Sequence, residues 1–241
     1  MFICGEVLDW NYYSDNGSGL SDDEEERIVG RAHDIWRHAS SLISPGSSEF
    51  SLADAITGLK RAVNHRLKAL SNAYSFDALP FLNQKKTLEK FQFYGIIRPA
   101  LLKELFEIRN SIEHMDRAPP SVDECRRYVD FVWYFLKSTD SLLTMKLDDV
   151  IFWCDSENRS LRFCPEFDGS WNIKVSGEVL VADILECWQP GALELVELDE
   201  SCERPDYIRA RIYGRWQPSP DQLSSFARKY FDLSGYWEDH A

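Results

Sequence analysis

Arg109, Asn110 and His114 are the residues of this chain whose types and spacing best suit chemistry. They fall in the run Leu105-Phe106-Glu107-Ile108-Arg109-Asn110-Ser111-Ile112-Glu113-His114, shortly before Pro119-Pro120 breaks the chain. Arginine is a permanent planar cation that forks onto phosphate or carboxylate oxygens. Histidine exchanges a proton near neutral pH, and a carboxamide beside the arginine can hydrogen-bond a phosphate or orient the imidazole. Together they suit general acid–base attack on a phosphodiester: the imidazole moves the proton, and the guanidinium meets charge building on the phosphorus oxygens. The structural alternative is that an Arg and a His near a helix C-terminus simply cap its carbonyls and favour its dipole.

The spacing restricts how these groups meet. On a helix Asn110 and His114 share a side, as do Arg109 and Glu113, because residues four apart are neighbours. Arg109 and His114 are five apart, an offset of about 140° at 3.6 residues per turn. One regular helix does not aim both at one atom. They converge where the helix frays before Met115-Asp116, or where two copies of the segment face each other across a dimer.

The elements that must hold them are mostly helical. Residues 1–20 read as an irregular lead-in. Ser21-Asp22-Asp23-Glu24 is a capping box opening a first helix with Ile28, Ala32, Ile35, Trp36 and Ala39, which ends before Pro45-Gly46. A second helix is predicted from near Ser51 to about Tyr74, with the stripe Leu52, Ala55, Ile56, Leu59, Val63, Leu67 and Leu70. Its other side carries Lys60, Arg61, His65, Arg66 and Lys68. A short helix spans Gln84 to Tyr94, and Pro99 sits in the first turn of the helix that leads to Arg109. Ser121-Val122-Asp123-Glu124 opens a long helix burying Val122, Cys125, Val129, Val132, Leu136 and Leu143. Beyond Lys146 the pattern turns to strands at 150–154 and 161–164, with period-two alternation over 171–175 and 207–215 and a final helix from Pro220. The predicted class is α+β and mainly α: an antiparallel four- or five-helix bundle at 21–146, followed by a small acidic α+β domain at 147–241.

The motif and its place near the end of the penultimate long helix resemble the HEPN family. These are helical-bundle domains found in toxin–antitoxin pairs, antiphage systems and CRISPR effectors. Their motif is an arginine, usually followed by a polar residue, with four to six residues in all between the arginine and a histidine; Arg109, Asn110 and His114 match it with four intervening residues. The resemblance covers roughly residues 22–146 and leaves the C-terminal part unexplained. It implies a HEPN-like bundle and a metal-independent endoribonuclease that needs no cofactor, with Arg109, Asn110 and His114 catalytic. Two protomers build one composite site, and the ribose 2′-hydroxyl attacks the adjacent phosphate to leave a cyclic phosphate. RNA is the implied substrate, and the implied role is toxin or antiviral effector, with an antitoxin or defence protein as partner. Two other readings stay open: a catalytically inactive module that dimerises or recruits a partner, and a nucleotide-binding sensor using the same cleft.

Charge limits how RNA would be held. The chain has 27 Lys/Arg against 40 Asp/Glu, a formal charge of −13, and the acidity is concentrated after residue 146. No basic stripe of the kind that grips long nucleic acid is present, so contact is expected at one local cleft. Arg61, His65 and Arg66 are candidates to line it, against the alternative of a solvated helix face. Tyr207, Arg209, Arg211, Tyr213 and Arg215 alternate on one strand face, which suits stacking on single-stranded RNA or an ordinary outward face. The six cysteines show no two-residue-gap pairing and are expected as free thiols, with Cys154 and Cys164 as a hairpin alternative for metal or redox chemistry. His33 and His38 are expected in surface or core roles. The start has no basic n-region, and no apolar run is long enough to span a bilayer, so the expected setting is cytoplasmic without membrane attachment.

Overall fold

The computed structural model describes residues 5–21, 26–81, 87–154, 159–180, 193–199 and 209–234. The chain divides into two compact units. One holds residues 19–74 and 83–145; the other holds 1–18, 75–82 and 146–236.

The first unit is helical. A π-helical turn at Glu26–Gly30 leads into α1, Arg31–Ser41, which buries Ala32, Ile35 and Ala39. The capping box expected at Ser21 to Glu24 lies largely outside the described residues. Helix α2, Glu49–Ala73, is the longest; Ser48 caps it, its hydroxyl accepting from the Ser51 amide at 3.2 Å. At Gly58 a Cβ would stand 2.8 Å from the Ala39 Cβ, so the missing side chain is what lets α1 and α2 lie together. Helix α3, Thr87–Phe93, is short. Helix α4, Ala100–Met115, carries the motif. Helix α5, Val122–Ser138, opens on a complete capping box: the Ser121 hydroxyl accepts from the Glu124 amide and the Glu124 carboxylate accepts from the Ser121 amide. The predicted long helix breaks at Thr139, and α6, Asp140–Thr144, carries Leu143 separately. Trp36 ties α1 to α5 by donating to the Val129 carbonyl at 2.8 Å.

The second unit is a sheet with a helix on one face. The strands of the described residues are β1 Asn11–Tyr13, β2 Gly17–Gly19, β3 Met145–Leu147, β4 Val150–Cys154, β5 Arg159–Phe167, β6 Trp171–Leu180, β7 Leu193–Asp199 and β8 Arg209–Trp216. Six of them form one antiparallel sheet in the order β1-β4-β5-β6-β8-β7, while β2 and β3 pair with each other. Period-two alternation puts Val150, Phe152, Leu161, Phe163, Trp171, Ile173, Val175, Ile212 and Trp216 in the core. Helix α7, Pro220–Ser234, covers them with Phe226, Ala227, Tyr230 and Phe231. Phe226 is the hub, its ring centroid lying 5.6 Å from that of Phe163, 5.7 Å from Trp216, 6.2 Å from Phe152 and 6.4 Å from Trp171.

The mainly α expectation is overturned. The molecule is mixed α+β, with helices in the first half and a six-stranded antiparallel sheet of its own core rather than a small appendage to a four- or five-helix HEPN-like bundle. Residues 5–18 also depart from an irregular lead-in. A 3-10 turn at Gly5–Asp9 buries Val7 and Leu8, and β1 forms the sheet edge against β4. The Tyr12 hydroxyl donates to Asp232 at 2.8 Å, and the Lys229 ammonium lies 4.3 Å from the Tyr12 ring centroid. Buried Asp149 holds the following loop, accepting from Ser14 and Asn16 and pairing with Arg162. The physical reason for the miss is that strands of three to ten residues are completed by distant partners, whose pairing no local period reveals.

Candidate functional site

The motif lies on an unbroken helix. Leu102 and Leu105 are buried, and Arg109 continues the same stripe four residues on, so its side chain is drawn toward the packed side and is only 25% exposed. His114 is exposed on the last turn. The helix keeps its form through Met115 and stops at Asp116, whose backbone is left-handed (φ 49°, ψ 38°); the Arg117 amide closes the end on the Ser111 carbonyl at 3.3 Å. Fraying therefore does not bring the pair together. Five regular positions leave Arg109 and His114 about 140° apart around the axis and about 7.5 Å apart along it. Within one copy they do not converge.

What Arg109 does meet is a small charge cluster spanning α2 and α4. Its guanidinium pairs with Glu113 one turn on and donates to the Asn110 carboxamide oxygen at 3.3 Å. Lys60 on α2 reaches the same oxygen at 3.4 Å, with its ammonium 5.3 Å from the Phe106 ring centroid. The Arg109 Nε is buried without a hydrogen-bond partner. Burial, and then the Arg109 charge, lower the Lys60 pKa below the ordinary lysine range, while Glu113 opposes them. Two cations, one carboxylate and one amide thus share a patch with net positive charge. Lys60 stood on the polar side of its predicted helix, but nothing in the sequence linked it to a residue fifty positions away.

The second predicted group does not form one surface. Arg61 is exposed, His65 is half-buried, and Arg66 is fully buried, which corrects its place among RNA-lining residues. Arg66 donates to the Leu136 carbonyl at 2.9 Å and the Thr139 hydroxyl at 3.0 Å, reaches the Val29 carbonyl at 3.4 Å, and pairs with Asp140 at 2.7 Å. Asp140 also meets His33 at 2.9 Å and Lys137 at 3.3 Å, which gives His33 a carboxylate partner that its sequence neighbourhood did not suggest. Burial would raise the Asp140 pKa, but His33 and Arg66 outweigh it and hold the carboxyl below its usual value. A signal for Arg66 existed: Leu59, Val63, Arg66 and Leu70 follow the 4-3-4 spacing of the buried stripe. Burial first, then the charges of Arg31, Arg66, Lys68 and Arg61, lower the His65 pKa and favour the neutral ring.

In the sheet unit, Tyr207 lies outside the described residues. Tyr213 and Arg215 are exposed, as an outward strand face requires. The register sets Arg211 opposite Glu178 and Glu197, and Arg209 opposite Asp199, so acidic positions flank the basic ones. Cys154 stands opposite Arg159 and Cys164 opposite Lys174, so the hairpin does not set these two thiols against each other. Among the described residues no group of three His, Cys, Asp or Glu side chains is placed to hold a metal ion, and no helix is long and apolar enough to cross a membrane. No family model matches the chain, and neither the curated proteins nor the solved structures compared with it include a match.

Proposed function

We propose that the chain is an endoribonuclease of HEPN type, acting without a metal at a site completed by a second copy of itself. The observation that carries this reading is the disposition of α4: Arg109 and Asn110 sit in a positive patch with Lys60, while His114 stands exposed on the terminal turn. One helix holds the phosphate-binding and proton-moving groups too far apart for one phosphate. Two copies of α4 facing each other bring the His114 of one beside the Arg109 of the other.

The chemistry is then a transesterification. One His114 takes the proton of the ribose 2′-hydroxyl as that oxygen bonds to phosphorus. The bond from phosphorus to the 5′-oxygen breaks, and the leaving oxygen takes a proton from the second His114. The products are a 2′,3′-cyclic phosphate and a 5′-hydroxyl. Arg109 meets the charge on the equatorial oxygens, and the amide donors of Asn110 reach the same group. The need for a 2′-hydroxyl selects RNA over DNA.

One observation favours the competing reading of a non-catalytic module that dimerises or recruits a partner: Arg109 is already paired with Glu113. A single experiment separates the two. Wild type, Arg109→Ala and His114→Ala are incubated with total RNA in EDTA, and cleavage with cyclic-phosphate ends is expected from wild type alone. Intact RNA with wild type, or equal cleavage by the variants, removes the catalytic reading. Growth arrest on expression that His114→Ala abolishes supports the toxin role.

A further inference from the structure

We propose that Lys60, Arg109 and Asn110 form a phosphate-binding site whose resting occupant is the carboxylate of Glu113, which an RNA phosphodiester must displace. This rests on the ribonuclease reading and adds to it a substrate-holding residue and a built-in competitor. Lys60 and Arg109 converge from two helices on one atom, the Asn110 carboxamide oxygen, at 3.4 and 3.3 Å. Glu113 fills a guanidinium edge that an anionic oxygen of a phosphodiester would otherwise take. Its charge also acts on Lys60, opposing the effects of burial and Arg109. The cluster is therefore an anion site that already holds an anion.

The competitor is easily displaced. Glu113 and Arg109 are 28% and 25% exposed and four residues apart on one helix, the kind of pair that salt and water weaken. A phosphodiester presents two anionic oxygens and can meet both cations at once. Displacement frees a carboxylate on an exposed helix turn, where water receives it. In this scheme Glu113 sets how strongly RNA must bind before Arg109 is available.

The test measures binding apart from cleavage. Fluorescence anisotropy with a short, labelled, uniformly 2′-O-methylated oligoribonucleotide, which lacks the attacking hydroxyl, is run on wild type, Glu113→Gln, Lys60→Met and Lys60→Arg, each verified by circular dichroism. Glu113→Gln is expected to tighten binding by about threefold to tenfold, from removal of a competing charge near the phosphate. Lys60→Met is expected to weaken binding by a similar factor and to lower the salt slope by about one, while Lys60→Arg retains wild-type affinity. Unchanged affinity in Glu113→Gln or Lys60→Met overturns the proposal, as does failure of both wild type and Glu113→Gln to bind. If the affinities shift as expected but unmodified RNA stays intact, the phosphate site stands and the ribonuclease reading falls. If cleavage depends on Arg109 and His114 while Lys60 and Glu113 have no effect on binding, the reverse holds.

Discussion

Arg66→Met is expected to destabilise the helical unit by about 3 kcal/mol while leaving RNA affinity unaffected in the folded protein. Methionine keeps much of the volume and removes every donor. The lost contacts are those to the Leu136 and Val29 carbonyls, the Thr139 hydroxyl and the Asp140 carboxylate. Removing one partner of a buried ion pair typically costs about 3–5 kcal/mol, because the other charge is left stranded. Here Asp140 keeps His33 and Lys137, and the Leu136 carbonyl still accepts from the Thr139 amide, so the lower end applies. In a urea titration followed by far-UV circular dichroism, a loss of this size moves the midpoint down by about 1 M or more. Arg66→Met/Asp140→Leu is expected to recover part of the loss, since the stranded carboxylate goes with its partner. A single variant with the wild-type midpoint, or a double variant worse than the sum of the two singles, refutes the account of Arg66 as the buried tie among the π-helical turn before α1, α5 and α6.

Three further outcomes follow from the packing and the charges. Gly58→Ala gains about 1 kcal/mol of helix propensity but forces its Cβ against Ala39, so a net loss of about 1 kcal/mol is expected; Ala39→Gly in the same chain should restore the melting temperature, and a more stable single variant would show that α1 and α2 yield freely. Phe226→Ala, which empties the centre of four aromatic neighbours, is expected to cost about 3–5 kcal/mol by denaturant unfolding, and a change under about 1 kcal/mol would mean that α7 does not seal the sheet. Asp140 has a folded pKa below its unfolded one, so its stabilisation is present above about pH 4 and fades as acid protonates the native carboxyl; the stability gap between wild type and Asp140→Asn should narrow on acidification, and a constant gap would refute the assignment.

Much of the helical unit was legible because helices are local. The Ser121–Glu124 box is present, the long α2 covers the predicted stripe, and α4 ends before Pro119. Arg66 shows where that reading went wrong: charge placed it on the polar side, although its spacing from Leu59, Val63 and Leu70 put it on the buried one. The break at Thr139 was missed because that residue's hydroxyl joins the buried Arg66 group, which links positions 66 and 139. The candidate site was half-visible. Arg109, Asn110 and His114 could be named from sequence, but Lys60, the ion pair with Glu113 and the intact final turn that keeps Arg109 from His114 could not.

The sequence by itself determined which stretches prefer helix and which residues could move protons or hold phosphate. Those properties depend on side-chain type and on neighbours within about one turn. Only the tertiary structure decided that β1 joins β4, that Arg66 serves the core, and that Lys60 lies against Asn110. Each depends on burying apolar surface and pairing polar groups between segments far apart in the chain, and such pairings follow from how the whole chain closes on itself.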